Sequence, residues 1–299
     1  MGLSVSVITP SFNQGAYIER TIQSVLSQNI SGLEYVIMDG GSTDATADVA
    51  SRYVNRLSFV SEKDNGQADA VNKGISATTG DIICWLNSDD VYYPGALEAV
   101  VNYFETHKEA NVVYGDAVHI DELDAVQESY YTEDWDYERL KDVCFLCQPA
   151  VFFRRRLMVR AGMLNASLTY CMDYEYWLRL GKFCDFYRIS RCLAGSRMYK
   201  ENKTLGARRA VHREINDMLQ KTLGVVPDRW IINYAHVIVE EKGCTRETQE
   251  KNMHFVHCLI LVSLMAFLRW RYWIPVTALK TMVGWEVAAI KQYATAVKS

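Results

Sequence analysis

Acidic and amide side chains follow three apolar runs in the first part of the chain, at positions 39–44, 62–66 and 87–90. Each cluster alone is typical of a solvated turn, because Asp, Asn and Gly tolerate left-handed backbone and form local hydrogen bonds. Turn formation alone does not explain three such clusters at one edge of a sheet, because neighbouring carboxylates repel unless a cation or a ligand offsets the repulsion. The oxygen ligands of Asp89 and Asp90 suit Mg²⁺ or Mn²⁺, which commonly also bind phosphate.

The elements that must position these clusters alternate between strand and helix. Strands are predicted at 3–9, 34–38, 57–61, 81–86 and 111–117, and the segments between them have the apolar spacing of helices. Short connections of this kind require a parallel sheet with right-handed crossovers, whose ligands bind at the carboxyl ends of the strands. Neither a G-x-x-x-x-G-K-[ST] loop nor a G-x-G-x-x-G follows the first strand, so a metal-bridged diphosphate is predicted.

The composition is that of a packed globular protein. The chain has 299 residues, of which 49% are hydrophobic and 23% charged, so disordered and collagen-like classes are excluded. A net charge of −4 provides no positive field for nucleic acid, and none is expected as a partner. No signal peptide is recognised, and the eight scattered cysteines indicate reduced thiols and a cytoplasmic location.

Two groups of potential metal ligands are interpreted as packing residues. Cys144 and Cys147 form a C-x-x-C, but no second pair follows at zinc-ribbon spacing and the flanking residues are apolar. The six histidines include no H-E-x-x-H motif. His254 and His257 lie in an apolar run, where interior or interfacial packing is the favoured interpretation.

Four stretches of the chain stand in an order typical of one enzyme family. They are VSVITPSFNQGAYIERTIQSVLSQ, YVIMDGGSTDAT, EKDNGQADAVNKGISATTGDIICWLNSDD and CQPAVFFRRRLMVRAGMLNASLTYCMDYEYWLRLG. Over about residues 3–200 the chain resembles the family 2 glycosyltransferases. The resemblance implies an α/β GT-A fold, which is a Rossmann-like, mostly parallel sheet flanked by helices. It implies a glycosyltransferase domain at 1–200, with a nucleotide-sugar half at 1–117 and an acceptor half at 118–200, followed by an α-helical C-terminal extension at 201–299.

The resemblance also implies an activity and its residues. A sugar is expected to move from a nucleotide-diphosphate donor, most commonly UDP, to a hydroxyl of a glycan or lipid-linked acceptor, with inversion at the anomeric carbon. Asp173 is the implied catalytic base, and Asp89 with Asp90 is the implied site for Mn²⁺ or Mg²⁺. The residues implied to bind the donor are Thr9, Pro10, Ser11, Asn13, Asp39, Gly41, Ser42, Asp64, Gly66, Lys73, Asn87, Ser88 and Asp89.

Some features leave alternatives open. Asn87 stands where the family commonly has the first Asp of its D-x-D motif, so a catalytically impaired sugar-nucleotide binding module is one alternative. A sugar-1-phosphate nucleotidyltransferase is another, although SFNQG lacks the glycine-rich basic stretch expected for a triphosphate. Asp173 also suits a helix N-terminal charge, while Trp177 and Arg179 could offer a sugar an apolar face and a positive charge.

The family also includes processive polysaccharide synthases. Their Q-x-x-R-W motif is missing here, because VVPD precedes Arg229 and Trp230. Transfer of one sugar per encounter is therefore expected, in the assembly of a cell-surface glycan such as lipopolysaccharide, capsule or exopolysaccharide.

The C-terminal segment is basic and apolar. Residues 251–299 hold six Lys or Arg and one acid, a charge of +5, and the sixteen-residue run 253–268 is short of the roughly 20 residues of a membrane span. Residues 269–273 alternate cations with aromatic rings, which is typical of the headgroup layer. We expect peripheral docking on the anionic cytoplasmic face of the inner membrane, with a packed helical hairpin or a homodimer as the alternative.

Overall fold

The computed structural model describes residues 2–200, 202 and 206–296. The chain divides into two compact units, Met1–Asn202 and Lys203–Ser299. The first unit contains all the strands found in the described residues, and the described part of the second unit is helical.

The first unit is built from nine strands and seven helices within the described residues. The strands are β1 (Val5–Ser11), β2 (Leu33–Asp39), β3 (Ser58–Ser61), β4 (Ile82–Trp85), β5 (Val91–Tyr92), β6 (Val112–Ile120), β7 (Val126–Ser129), β8 (Val151–Arg154) and β9 (Phe186–Arg197). The helices are α1 (Ile18–Leu26), α2 (Thr46–Ser51), α3 (Gln67–Ser76), α4 (Ala96–Thr106), α5 (Tyr137–Asp142), α6 (Met158–Ala161) and α7 (Met172–Gly181).

The strands form one sheet in the order β3-β2-β1-β4-β8-β6-β9-β5, and β7 pairs with β6. The first four strands of this order are parallel neighbours, so their carboxyl ends share one edge. The predicted α/β fold with a sheet flanked by helices is confirmed, and the sheet as a whole is mixed. One detail differs from the predicted run of parallel neighbours, because β8 inserts between β4 and β6 and is antiparallel to both.

Apolar burial explains why these segments form these elements. All seven residues of β1 are buried, as is typical of a strand covered on both faces of a parallel sheet. Helix α1 buries Ile18, Ile22, Val25 and Leu26, the stripe that its spacing predicts. These side chains pack in one core cluster with residues of β1, β2 and α4.

The second unit contains four helices in its described residues, α8 (Arg208–Leu223), α9 (Asp228–Glu241), α10 (Gln249–Arg271) and α11 (Val276–Ala296). Helix α10 is long and apolar enough to cross a membrane by length and composition, and 44% of its most apolar window is buried inside the protein. Its buried side chains include Phe255, Leu259 and Val262, which pack against α9. A core helix of a soluble protein meets the same criteria.

The predicted headgroup segment at 269–273 is partly wrong. Trp270 is 4% exposed and its indole Nε1 donates to Asp217 at 2.7 Å. The guanidinium of Arg271 forms an ion pair with Asp228 at 2.6 Å and donates to the carbonyl of Val226. Both side chains therefore stabilise the helical unit itself, and they are not free to meet lipid.

Glu34 on β2 fastens the turn that precedes β4. Its carboxylate accepts hydrogen bonds from the Thr79 backbone at 2.6 Å, the Gly80 backbone at 3.0 Å and the Ser6 hydroxyl at 2.9 Å, as well as from the Thr79 hydroxyl. Burial alone would raise the pKa of Glu34, but these hydrogen bonds to the charged form outweigh it and lower the pKa to about 2. The ionised carboxylate is therefore part of the folded state.

We predict that Glu34→Gln lowers the thermal unfolding midpoint at neutral pH, on the order of a few °C. A depressed pKa contributes stability above the unfolded value of roughly 4.3, and that stability is lost as the pH falls towards about 2. The difference in melting temperature between the variant and the wild type should therefore shrink as the pH falls through this window. The exposed Glu98→Gln is the control, and a difference that stays constant with pH would contradict the assignment.

Candidate active site

The turn after β2 is organised by a buried carboxylate. Asp39 is 2% exposed, and its Oδ2 accepts hydrogen bonds from the Ser42 backbone at 2.9 Å and the Ser61 hydroxyl at 2.7 Å. The same oxygen accepts from the backbone of Gly41, and the Ser42 hydroxyl donates to Oδ1. Asp39 thus shapes the turn at the carboxyl ends of β2 and β3.

The loop after β1 is fastened to this turn. The backbone of Asn13 donates to the Ser42 hydroxyl at 2.7 Å, and its side-chain oxygen accepts from the Thr43 backbone at 2.9 Å. Gly15 donates its backbone N–H to Asp44 at 2.8 Å. Two loops from neighbouring strands therefore form one rigid rim.

Three of the predicted donor-binding residues, Thr9, Pro10 and Ser11, lie at the end of β1 and differ in their surroundings. The hydroxyl of Ser11 is buried and has no hydrogen-bond partner within the described part of the chain. Pro10 is buried within the strand. The side chain of Thr9 is fully buried and its hydroxyl is bonded to that of Tyr35 at 3.2 Å, so this side chain lies in the core, and the contact of Thr9 with the donor stays a prediction.

The loop after β3 lies against the same rim. A Cβ built on Gly40 would stand 2.8 Å from Oδ2 of Asp64, so that carboxylate lies directly over the turn after β2. The other oxygen of Asp64 accepts from the Gly66 backbone at 2.8 Å. Asp64 and Gly66 therefore lie beside the Asp39 turn, as their positions after neighbouring parallel strands require.

Lys73, one of the residues implied to bind the donor, is paired with acids of its own unit. Its ammonium lies 2.8 Å from the carboxylate of Glu62 and 3.6 Å from that of Asp69, and it also donates to the carbonyl of Lys63. The hydrogen bond with Glu62 is the main reason that the pKa of Lys73 is raised. Two neighbouring acids therefore offset its charge, and its contact with the donor stays a prediction.

The loop after β4 contains two carboxylates in different environments. Asp90 is 3% exposed, and its oxygens accept from the Arg197 backbone at 2.8 Å and the Asn87 amide at 3.1 Å. Burial and the adjacent Asp89 charge raise the pKa of Asp90 well above its usual range. Asp89 is less buried, and its Oδ2 accepts from the Tyr199 hydroxyl at 3.0 Å. Asp90 is thus the inner carboxylate and Asp89 the outer one.

Three residues that the sequence does not single out hold this loop. The hydroxyl of Thr21 lies 2.9 Å from the Ser88 carbonyl and 2.8 Å from the Asp90 carbonyl, and can donate to either. Arg197 donates from Nε to the Asp89 carbonyl at 2.7 Å, and the hydroxyl of Tyr199 accepts from the Gln14 amide. No sequence motif marks these positions, because Arg197 and Tyr199 reach the loop through the pairing of β9 with β6.

Asp173 lies half-buried in the first turn of α7. One turn later, Trp177 stacks on Trp85 at the end of β4, with ring centroids 5.2 Å apart and an interplanar angle of 18°. Burial is the main cause of the raised pKa of the Cys147 thiol, and the negative charges of Asp90 and Asp173 raise that pKa further. Both carboxylates therefore lie near the same buried thiol. Helix α7 thus brings Asp173 towards the loop after β4.

The aromatic and cationic residues near Asp173 have structural roles. Trp177 is fully buried against Trp85, so the prediction that it offers a face to a sugar ring is wrong. Arg179 pairs with Glu175 at 2.7 Å and donates to the Met163 carbonyl at 2.8 Å. Its charge stabilises the fold around α7 and is not available to a donor.

Comparison with known proteins identifies the family. Residues 6–160 match the model of glycosyl transferase family 2, which spans more than half of the chain. The chain belongs to this family. The predicted family and the glycosyltransferase class are thereby confirmed.

Similar proteins extend this comparison. An uncharacterised glycosyltransferase of Rickettsia prowazekii is 26% identical over 215 residues, and the match covers 67% of this chain but only 65% of that relative. Staphylococcus aureus TarS 1–349 in complex with UDP-GlcNAc superposes with a TM-score of 0.62 at 15% identity, covering 98% of this chain and 92% of that one. The mannosyltransferase PcManGT of Pyrobaculum calidifontis, in complex with GDP-Man and Mn²⁺, gives 0.54 at 16% identity, covering 100% and 87%. These two structures confirm the GT-A-like fold.

Proposed function

We propose that this glycosyltransferase moves a sugar from a nucleotide-diphosphate donor to an acceptor hydroxyl, with inversion at the anomeric carbon. The observation that carries the proposal is the Asp89–Asp90 pair at the carboxyl end of β4, in which a buried carboxylate lies directly behind a more exposed one. Such a pair is unfavourable without a cation, because burial and mutual repulsion both oppose ionisation of the inner group. The TarS complex with UDP-GlcNAc supports a UDP donor.

The carboxylate oxygens of Asp89 and Asp90 suit a hard divalent cation. Carboxylate oxygens are the ligands that Mn²⁺ and Mg²⁺ prefer, and Asp89 is the less buried carboxylate of the pair. Asp90 would serve as a second ligand or hold Asp89 in place, with a cation favouring its ionised form. A bound Mn²⁺ or Mg²⁺ would stabilise the negative charge that develops on the departing diphosphate. The Mn²⁺ held by PcManGT supports this assignment.

The rim formed by the loops after β1, β2 and β3 is the proposed donor-binding surface. The half-buried Asp64 carboxylate is the group there that is best placed to contact the nucleotide, and the unpartnered Ser11 hydroxyl is a second proposed contact. Asp39 acts mainly by holding the turn, since its oxygens accept four hydrogen bonds from Gly41, Ser42 and Ser61. The other proposed contacts on these loops and on the loop after β4 are Asn13, Gly41, Ser42, Gly66, Asn87 and Ser88.

Asp173 is the proposed catalytic base. Its carboxylate lies at the N-terminal end of α7, and stacking of Trp177 on Trp85 holds that helix against the end of β4. Attack by the acceptor hydroxyl requires removal of its proton, which a carboxylate within hydrogen-bond reach provides. No covalent bond to the chain is needed, because the hydroxyl oxygen replaces the diphosphate directly.

Calorimetry tests the donor and the metal. UDP-, GDP- and dTDP-sugars are titrated in Mn²⁺ and again in EDTA, and we expect binding of one nucleotide class that is lost in EDTA and in Asp89→Asn. Asp142→Asn, an exposed acid on α5, is the matched control and should bind as the wild type does. Equal affinity in EDTA and Mn²⁺ would remove the metal from the proposal. Product analysis that finds pyrophosphate instead of a nucleoside diphosphate would indicate a nucleotidyltransferase.

Replacement of the base separates chemistry from binding. Asp173→Asn keeps the shape of the side chain and removes its basicity, so turnover should fall at least about 100-fold, the lower end of a general-base contribution. Donor affinity by calorimetry should change little. Turnover is measured as nucleoside diphosphate release with extracted cell-envelope glycolipids as acceptors. Near wild-type release would place the base elsewhere, and Glu175→Gln would then be tested.

We further propose that the second unit docks on an anionic membrane, at the cytoplasmic face of the inner membrane. Helix α11 exposes an apolar stripe at helical spacing, and α10 exposes a shorter one. The exposed cations Arg269, Lys280 and Lys291 adjoin these stripes in sequence and suit anionic lipid. The stripes are Val276, Leu279, Val283, Val287 and Ile290 on α11, and Leu261, Met265 and Leu268 on α10. Docking there would give access to a lipid-linked acceptor for cell-surface glycan assembly, one sugar per encounter.

Vesicle flotation tests the membrane proposal. The wild type should float with vesicles that contain phosphatidylglycerol and remain at the bottom with pure phosphatidylcholine. The double variant Val283→Asp/Val287→Asp should lose flotation, because it places two charges on the exposed stripe. Val159→Asp is the control, since Val159 is 90% exposed in the first unit. A wild type that never floats and forms a dimer which the double variant disrupts would show that a second copy covers this face.

A further inference from the structure

The second unit brings two thiols and an imidazole together, far along the chain from the acidic loops. The sulfurs of Cys244 and Cys258 and a ring nitrogen of His254 all lie within 4.8 Å of one another. The distance between the Cys258 sulfur and Nε2 of His254 is 3.6 Å. The interpretation of His254 as a packing residue overlooked this cluster, because the loop after α9 supplies the third member.

The one separation that is known as a distance, between Cys258 and His254, is that of two ligands around one small metal ion. Zinc lies about 2.3 Å from thiolate sulfur and about 2.0–2.1 Å from imidazole nitrogen, in tetrahedral geometry. Two such ligands are then separated by about 3.5 Å for a sulfur and a nitrogen, and by about 3.8 Å for two sulfurs. The observed 3.6 Å between Cys258 and His254 agrees with the first value. Little movement of the three side chains would be needed to receive the ion.

The backbone holds all three ligands in place. Gly243 has a φ of +77° and donates its N–H to the Glu240 carbonyl at 2.9 Å, while Cys244 donates to the Val239 carbonyl at 3.3 Å. This pair of hydrogen bonds is the Schellman motif that ends a helix, so the end of α9 fixes the position of Cys244. His254 and Cys258 are four residues apart on α10 and share one face of that helix.

The loop between these ligands is also anchored. The Thr248 hydroxyl caps α10 by accepting from the Lys251 backbone at 3.2 Å, and Lys251 pairs with Glu247 at 2.7 Å. The guanidinium of Arg246 lies 4.1 Å from the centre of the Phe255 ring. The loop therefore reaches the cluster in a defined conformation.

Burial and charge also favour an ion. Cys244 and Cys258 are half-buried against the core formed by α9 and α10, whereas His254 is exposed, so the cluster is open on one side. Two thiolates would neutralise a divalent cation and leave no net charge to desolvate.

We propose that Cys244, His254 and Cys258 bind one Zn²⁺ ion, with water in the fourth position. The ion would join the loop after α9 to the first turns of α10 and stabilise the helical unit. Soft thiolate and imidazole ligands select zinc over Mg²⁺ and Mn²⁺, so this site would not compete for the metal of sugar transfer.

Zinc titration of the full chain tests the proposal. The protein is stripped with a chelator under reducing conditions and titrated with Zn²⁺ against a chromophoric competitor, and one ion should bind per chain. Cys244→Ser and Cys258→Ser should each weaken zinc binding by more than about 100-fold. Loss of a residue that only hydrogen-bonds to a metal ligand already lowers metal affinity by up to about that factor, and here a ligand itself is lost. Co²⁺ in place of zinc should give a thiolate charge-transfer band that disappears in both variants.

Matched controls separate the site from other thiols and histidines. Cys192→Ser removes a half-buried thiol of the first unit, and His257→Gln removes an exposed imidazole on the same helix that instead faces Glu286. Both variants should bind zinc as the wild type does. His254→Gln changes only the exposed ligand, so it should weaken binding while its circular dichroism remains that of the wild type, even where a cysteine variant fails to fold.

Three results would overturn the proposal. The first is a reduced wild-type protein that binds no zinc. The second is a loss of binding in Cys192→Ser or His257→Gln as large as that in the ligand variants. The third is unchanged affinity in a folded His254→Gln. Mass spectrometry that finds a Cys244–Cys258 disulfide, with no zinc uptake after reduction, would assign these thiols to a covalent crosslink instead.

Discussion

The candidate active site depends on one electrostatic constraint, which is the burial of the Asp90 carboxylate directly behind Asp89. A buried carboxylate is tolerated only where hydrogen-bond donors surround it, and here a backbone N–H of Arg197 and the amide of Asn87 supply them. These two donors come from the end of β9 and from the loop itself. The short loop after β4 is thereby fixed between distant parts of the sheet.

The same constraint explains the residue that departs from the common D-x-D motif. An aspartate at position 87 would place a third negative charge within hydrogen-bond distance of Asp90, whereas Asn87 donates an N–H there and accepts one from Gln67. The amide therefore reduces repulsion inside the loop. The substitution suits the surroundings of Asp90, and it does not by itself indicate a damaged site.

Local signals in the sequence predicted the strands and the loops that follow them. Contacts between residues far apart in the chain determine the other parts of the site. Apolar runs followed by Asp, Asn and Gly placed Asp39, Asp64 and Asp89 at strand ends, because both signals lie within a few residues of one another. The contacts of Asp90 with Arg197 and of Asp89 with Tyr199 span 107 and 110 residues, and no local spacing reports them. The antiparallel strand β8 was not predicted, because its four residues are all buried and show no alternation of apolar and polar side chains.

Some residues with suitable chemistry already have partners inside the protein, and residue type alone does not reveal those partners. Trp177 and Lys73 each have the chemistry that a sugar or a phosphate would need, but Trp85 and Glu62 already satisfy them. Cys244 lies in the loop before α10 and His254 lies on α10, and only the fold shows that their side chains are close together. Partners of this kind become visible only when the backbone path is known.

The fastening of the loop after β1 to the turn after β2 has a consequence for how substrate choice can change. The hydrogen bonds from Asn13 to Ser42 and from Thr43 to Asn13 lie within the protein, so the rim is formed before any ligand arrives. A preformed rim loses little conformational entropy on binding and discriminates by its fixed shape. Acceptance of a different nucleobase would then require substitutions that reshape this rim, because the loops have little freedom to adapt by moving.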